Sequence, residues 1–99
     1  MFGAIKKLFD GAVANARQLR SDNALVIDVR TPFEFKTGHV RGSKNIPLDT
    51  LPSKIDELKK LNRTIITVCR SGTRSVTAKN MLTTAGLDVC DGGLWTDFK

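Results

Sequence analysis

The chain has 99 residues, 40% of them hydrophobic, with 16 lysines and arginines against 10 aspartates and glutamates and a formal net charge of +6. That is enough for one small domain around a single core; two cysteines far from C-x-x-C spacing and one histidine argue against a zinc site, so neither metal nor cofactor is expected. The basic residues are scattered, tyrosine is absent and no nucleic-acid motif is visible, so the charge is read as a field that gathers a small anionic substrate, and nucleic acid is not expected as a partner.

Residues 1–14 read as an N-terminal amphipathic helical extension, with Phe2, Ile5, Leu8 and Phe9 on one face and Lys6 and Lys7 on the other. The apolar face is expected to pack on its own domain, with a membrane surface or a partner protein as the lesser alternative. Because Lys6 and Lys7 interrupt the apolar residues, the start lacks the h-region of a signal peptide. No stretch reaches transmembrane length, so the expected address is the cytoplasm, with both thiols reduced. A second helix is expected around Val13 to Arg20, and Ser21-Asp22-Asn23 reads as a turn. Residues 15–99 make the domain proper.

Ala24-Leu25-Val26-Ile27 is a continuous apolar run ending at Asp28, the pattern of a parallel strand covered on both faces. Thr31-Pro32-Phe33-Glu34 fits a helix start: Thr31 as N-cap, Pro32 at the first helical position, Glu34 closing a capping box. Gly38 stops that helix early. Asn45 to Leu48 reads as a brief strand ended by Pro47, and Pro52 opens a helix carrying Ile55, Leu58 and Leu61 inward. Thr64 to Val68 reads as a buried strand, followed by Cys69 and then by a helix over Ser75 to Ala85 with Ala78, Met81, Leu82 and Ala85 on one face. Gly86 serves as its C-cap, Leu87 to Cys90 give a last short strand, and Gly92-Gly93 turn the chain towards Trp95 and Phe98. Strands alternating with helices predict an α/β fold, an open parallel sheet with helices on both faces, whose ligands bind beyond the carboxyl ends of the strands.

Cys69-Arg70-Ser71-Gly72-Thr73-Arg74-Ser75 lies at such an end. The first amides of a helix have no intrahelical partner, and the helix dipole adds positive potential, so the turn forms a cup for anions. Helix N-termini and neighbouring cations favour thiolate, and Arg70 and Arg74 supply the cations; Cys69 is therefore expected to be an accessible, reactive thiolate. A cysteine after an apolar strand is often core filler, yet filler needs neither Gly72 nor two arginines beside it. Either arginine has a second use, as a guanidinium fork for an oxyanion or as a brace for the loop. Ser71, Thr73 and Ser75 offer hydroxyls to a bound anion or to the helix end, Ser75 being read as a cap. Asp28 and Arg30, at a neighbouring strand end, are candidates for the border of the pocket; the plainer reading has Asp28 receiving loop amides and Arg30 pairing with Glu34. His39 is read as a hydrogen-bonded structural residue near Gly38, since a preformed thiolate needs no base. Cys90 is read as core and Trp95 as a lid on it.

Leu25 to Pro32, Glu34-Phe35, Gly38 to Leu48, Cys69 to Ser75 and Gly92-Gly93, in that order, resemble the rhodanese-like domain in its single-domain form. The resemblance covers about residues 15 to 95, and it implies a rhodanese-like sheet of four or five parallel strands. It also implies a sulfurtransferase in which Cys69 carries sulfur as a persulfide and Arg70 to Arg74 form the loop around it. The implied donor is a small sulfur anion such as thiosulfate, and the acceptor is cyanide or a thiol, including that of a thioredoxin-like protein. Ser43 stands where the family usually has alanine, and the interval from Gly86 to Gly92 is short. Two rivals follow from the same likeness: a non-catalytic docking or regulatory module, and a cysteine phosphatase of the same fold. Four residues separate Cys69 from Arg74, whereas the phosphatase relatives resemble this loop with one more. The tighter cup argues against phosphate.

Overall fold

Every residue of Leu25–Asp28 and of Ile65–Cys69 is buried, as two uninterrupted apolar runs at the centre of a sheet require. These strands, β1 and β3, lie side by side in a computed structural model that describes residues 23–98. The amino-terminal extension, the second helix and the start of the turn at Ser21 fall outside the described residues. Two edge strands complete the sheet, β2 (Lys44–Asn45) against β1 and β4 (Val89–Leu94) against β3. The order is β2-β1-β3-β4, and every neighbouring pair is parallel. Helices flank the sheet: α1 (Pro32–Thr37) follows β1, α2 (Ile55–Leu61) precedes β3, and α3 (Thr73–Thr84) joins β3 to β4.

Side chains alternate across the central strands, so the two faces bury different residues. On one face Leu25, Ile27 and Ile65 pack with Leu51, with Leu58 of α2 and with Ala78 and Leu82 of α3. On the other, Val26, Ile66 and Val68 pack with Val40 and Phe98. Cys69 belongs to the first group and Cys90 borders the second. The sheet therefore stands between the two thiols, which are not joined in a disulfide.

Several elements differ in extent from their sequence reading. The β2 ladder covers Lys44–Asn45 rather than Asn45 to Leu48; Pro47 has no N–H, although Ile46 and Leu48 still donate to the carbonyls of Asp28 and Val29 at 3.0 and 3.2 Å. The helix at Pro52 begins as a 3-10 turn, Leu51–Lys54, and Leu61 at its end is 46% exposed, so the inward stripe stops at Leu58. Gly92 and Gly93 do not turn the chain; they lie inside β4. A Cβ on Gly92 would stand 2.8 Å from Ile66 Cγ2 and 3.0 Å from Val68 Cγ1, so only a residue without a side chain fits at this point of β4. Thr67 pairs with Asp91 and Val68 with Gly93, so Gly92 is the extra residue of a bulge.

Candidate active site

Cys69 is the last residue of β3, beside Leu94 in the register with β4. Only Arg70, Ser71 and Gly72 separate it from α3, which begins at Thr73, two residues earlier than its apolar stripe suggests. Gly72 makes so short a turn feasible by taking φ 92° and ψ −20°, a left-handed conformation that side chains resist. Its N–H then points back and donates to Cys69 Sγ at 2.8 Å. Its carbonyl accepts from Val76 N at 3.2 Å and from Ser75 Oγ at 3.0 Å. Thr67 Oγ1 on β3 donates to the Ser75 carbonyl at 3.0 Å, tying the first turn of α3 to the strand that ends in the thiol.

These bonds correct the reading of Ser75 as a cap. Gly72 holds the N-cap position without a side-chain bond, and Ser75, fully buried, braces the loop from inside. The first-turn amides of α3 thus have no side chain covering them and no carbonyl behind them within the helix. Ser71 and Thr73 are exposed on the outside of the turn. Cys69 itself is 0% exposed, contrary to the expected accessible thiol: the turn closes over the sulfur.

The two loop arginines have different roles. Arg74 is the brace: Nη1 and Nη2 donate to Glu34 Oε1 and Oε2 at 2.8 and 3.0 Å, a fork-to-fork pair across 40 positions of sequence. Glu34 also closes the expected capping box, accepting from Thr31 N and Thr31 Oγ1, both at 3.0 Å. Its carboxyl is lowered from 4.5 to about 2, first by the Arg74 hydrogen bond and then by the Thr31 amide. Arg74 is raised in turn, by Glu34 before anything else, and is close enough to feel Cys69 and Asp28. Arg70, by contrast, is exposed and has no hydrogen bond or ion pair among the described residues.

Asp28 and Arg30 form a buried pair, and this changes the plainer reading. Asp28 receives one amide of the loop after its own strand, Arg30 N at 3.0 Å, and its carboxylate is otherwise taken by the Arg30 side chain, Nε at 2.9 Å and Nη2 at 2.6 Å. Arg30 does not pair with the Glu34 carboxylate; it donates to the carbonyls of Glu34 and Gly38 at 3.3 and 2.7 Å. Its guanidinium lies 4.4 Å from the centre of the Trp95 ring, a cation–π contact. Gly38 permits this approach, since a Cβ there would stand 3.0 Å from Trp95 Cη2. Of the two, Arg30 borders a cleft and Asp28 lies behind it.

That cleft, about 510 Å3, opens beside the loop and is lined by Arg30, Glu34, Thr37, Arg70, Trp95 and Thr96. A second hollow, about 400 Å3, lies between Leu58 and Asp88 at the amino ends of β3 and β4, the wrong end of the sheet for the thiol. His39 is structural, as expected: its Nδ1 lies 2.8 Å from the Phe35 carbonyl and its ring stacks on Phe35 at 3.8 Å. Cys90 is half-buried, its thiol raised by burial and then by Asp91. Sequence reasoning found Glu34 as a cap and Trp95 as a lid but gave neither a place at the site. The capping box was the available signal for Glu34; nothing local links it to Arg74.

Comparison with known proteins agrees with this geometry. The rhodanese-like domain family matches residues 12–94. Thiosulfate sulfurtransferase GlpE of Pseudomonas aeruginosa is 36% identical over 89 residues, covering 85% of this chain and 80% of the relative. A sulfurtransferase of Allochromatium vinosum is 30% identical over 69 residues, or 70% of this chain and 64% of the relative. The chain spans 64%, 46% and 54% of the length of three of its curated relatives. Among solved structures, a rhodanese with anions from E. coli superposes with a TM-score of 0.69 at 32% identity, covering 75% of this chain and 89% of that one. The human single-domain sulfurtransferase TSTD1 shares the fold, with a TM-score of 0.68 at 21% identity over 88% of this chain and 94% of that one. With a cysteine closing the central strand under a glycine amide, and with more than half its length matched to one family, the chain belongs to the rhodanese-like domain family.

Proposed function

We propose that this chain is a thiosulfate-type sulfurtransferase working through a persulfide on Cys69. The observation that carries the reading is the Gly72 N–H directed at Cys69 Sγ from 2.8 Å, at the foot of an uncapped helix. In the first half-reaction Cys69 thiolate attacks the outer sulfur of thiosulfate, the bond to the sulfonate sulfur breaks, and sulfite leaves with the electron pair. In the second, cyanide or a thiol attacks the outer sulfur of the persulfide and the pair returns to Cys69 Sγ. The Gly72 amide and the first-turn amides of α3 stabilise the negative sulfur as an oxyanion hole does. Since the turn covers Cys69, Arg70 to Gly72 must yield to admit the donor. The acceptor class includes small thiols and the exposed thiol of a thioredoxin-like protein, in a reducing compartment such as the cytoplasm where both cysteines stay as thiols.

The phosphatase reading loses a further support. Its arginine would have to enter the cup, and Arg74 is held by both Glu34 oxygens. A docking module needs no nucleophile at all, and mass separates that reading from catalysis. Incubation with thiosulfate is expected to add one sulfur, about 32 Da, to the wild-type protein and nothing to Cys69→Ala. No gain in the wild type with any sulfane donor would leave docking as the function.

A further inference from the structure

Beside the loop, the cleft of about 510 Å3 is far larger than cyanide or thiosulfate requires and falls within the range of small-molecule sites, which begins near 300 Å3. Its walls carry three charged side chains, Arg30, Glu34 and Arg70, and two of those charges are already spoken for. Arg30 is neutralised by Asp28, and Glu34 by Arg74. Arg70 is left as the cation of the lining without an ion-pair partner among the described residues. The same lining holds the Trp95 ring and the side chains of Thr37 and Thr96. The cleft thus offers one guanidinium outside any ion pair, one aromatic ring stacked with Arg30, and two neutral hydrogen-bonding groups. Because Arg70 directly follows Cys69, a molecule held by it lies beside the turn, Arg70 to Gly72, that covers the thiol.

We infer that this cleft is the subsite for the sulfur acceptor, and that it selects a small thiol bearing a carboxylate. The inference rests on the sulfurtransferase reading and adds the class of acceptor. Arg70 takes the carboxylate as a fork, the carbon chain lies along Trp95, and the acceptor thiolate turns towards the loop. That thiolate attacks the outer sulfur of Cys69–S–SH, the S–S bond breaks, its electron pair goes to Cys69 Sγ, and the acceptor departs as R–S–SH. No net oxidant or reductant is needed.

The test loads the protein with thiosulfate, removes the donor, and measures single-turnover discharge by cyanide, by 3-mercaptopropionate and by its amide. The wild type is expected to favour the acid over the amide, relative to their uncatalysed reactivities, by about twofold to fivefold, the upper range of a solvent-exposed ion pair. Arg70→Gln is expected to remove that preference. Thr96→Glu, which adds a negative charge to the cleft lining outside the cysteine loop, is expected to lower it while discharge by cyanide continues, which separates a subsite effect from damage to the nucleophile. An acid-to-amide ratio equal in the wild type and both variants overturns the subsite while leaving sulfur transfer to cyanide intact. Failure of the wild type to form a persulfide overturns the sulfurtransferase reading and the subsite with it.

Discussion

Replacing Glu34 by glutamine breaks the link between α1 and the cysteine loop, and its cost follows from the geometry. The carboxylate accepts from Thr31 N at 3.0 Å and from the Arg74 fork at 2.8 and 3.0 Å. A fall from 4.5 to about 2, at about 1.36 kcal/mol per pH unit, corresponds to about 3.4 kcal/mol if taken whole. The side chains of Glu34 and Arg74 keep 22% and 32% of their exposure, so water screens the pair. Glutamine keeps an acceptor for the capping box, so what is lost is the exposed ion pair, about 0.2–1 kcal/mol, and the carboxylate at the amino end of α1, about 0.3–1 kcal/mol, which brings the expected loss to about 0.5–2 kcal/mol. In a domain of this size each kcal/mol moves the melting temperature by about 4–8 °C, so Glu34→Gln is expected to melt about 2–16 °C lower at neutral pH. The folded-state carboxyl is the depressed one; its contribution is complete above 4.5 and drains away as the pH falls towards about 2. Thermal melts of the wild type, Glu34→Gln, Arg74→Met and the double variant give the coupling without the capping term. Expected is a coupling of about 0.5–1 kcal/mol near neutrality that fades through this acid window. A coupling indistinguishable from zero at neutral pH, or one unchanged at the acid end, refutes the latch.

Asp28→Asn leaves the Arg30 guanidinium, 3% exposed, without its counter-ion, and is expected to cost about 3–5 kcal/mol, with the fluorescence of Trp95 shifting to the red as its stacking partner loosens. A melting temperature within a few degrees of the wild type would show that the remaining carbonyl contacts suffice. Gly92→Ala forces a Cβ to within 2.8 Å of Ile66 Cγ2 and 3.0 Å of Phe98 Cε2, an overpacking worth about 1–3 kcal/mol in chemical denaturation. An unchanged midpoint would mean that β4 can step back from β3 at no cost.

What could be read from the sequence were the features whose cause is local. Two unbroken apolar runs gave the central strands because a parallel strand buried on both faces needs nothing else. Thr31-Pro32-x-Glu34 gave the start of α1 because capping is settled within one turn. Cys69 and its loop were legible for the same reason: Gly72 is the residue that permits so short a passage from strand to helix. Features decided by contact between distant segments were misread. Gly92-Gly93 looks like a turn in isolation, yet the reason for Gly92 is the side chains of Ile66 and Val68 on another strand. Leu61 has the spacing of a core residue but sits where α2 outruns the sheet. The partners of Asp28, Arg30 and Glu34 are exchanged relative to expectation, because Arg74 arrives from 40 positions away and claims the carboxylate that Arg30 was expected to hold.

That exchange also explains how a loop with two arginines keeps a cup made of backbone. A cation in the first turn of a helix is opposed by the dipole, and Arg74 is the second residue of α3. Left alone, its guanidinium would be drawn towards whatever anion the cup holds, as the phosphatase reading requires. Glu34 removes that freedom by offering a closer and geometrically matched anion, itself favoured by the amino end of α1. With Arg30 paired to Asp28 and Arg74 held by Glu34, the positive potential over Cys69 comes from the Gly72 amide and the open end of α3 together with the nearby Arg74. In the proposed reaction, main-chain amides suit a single negatively charged sulfur that must be given up again. A mobile guanidinium suits a tetrahedral oxyanion. In that proposal the carboxylate 40 positions upstream biases the same cysteine loop towards sulfur.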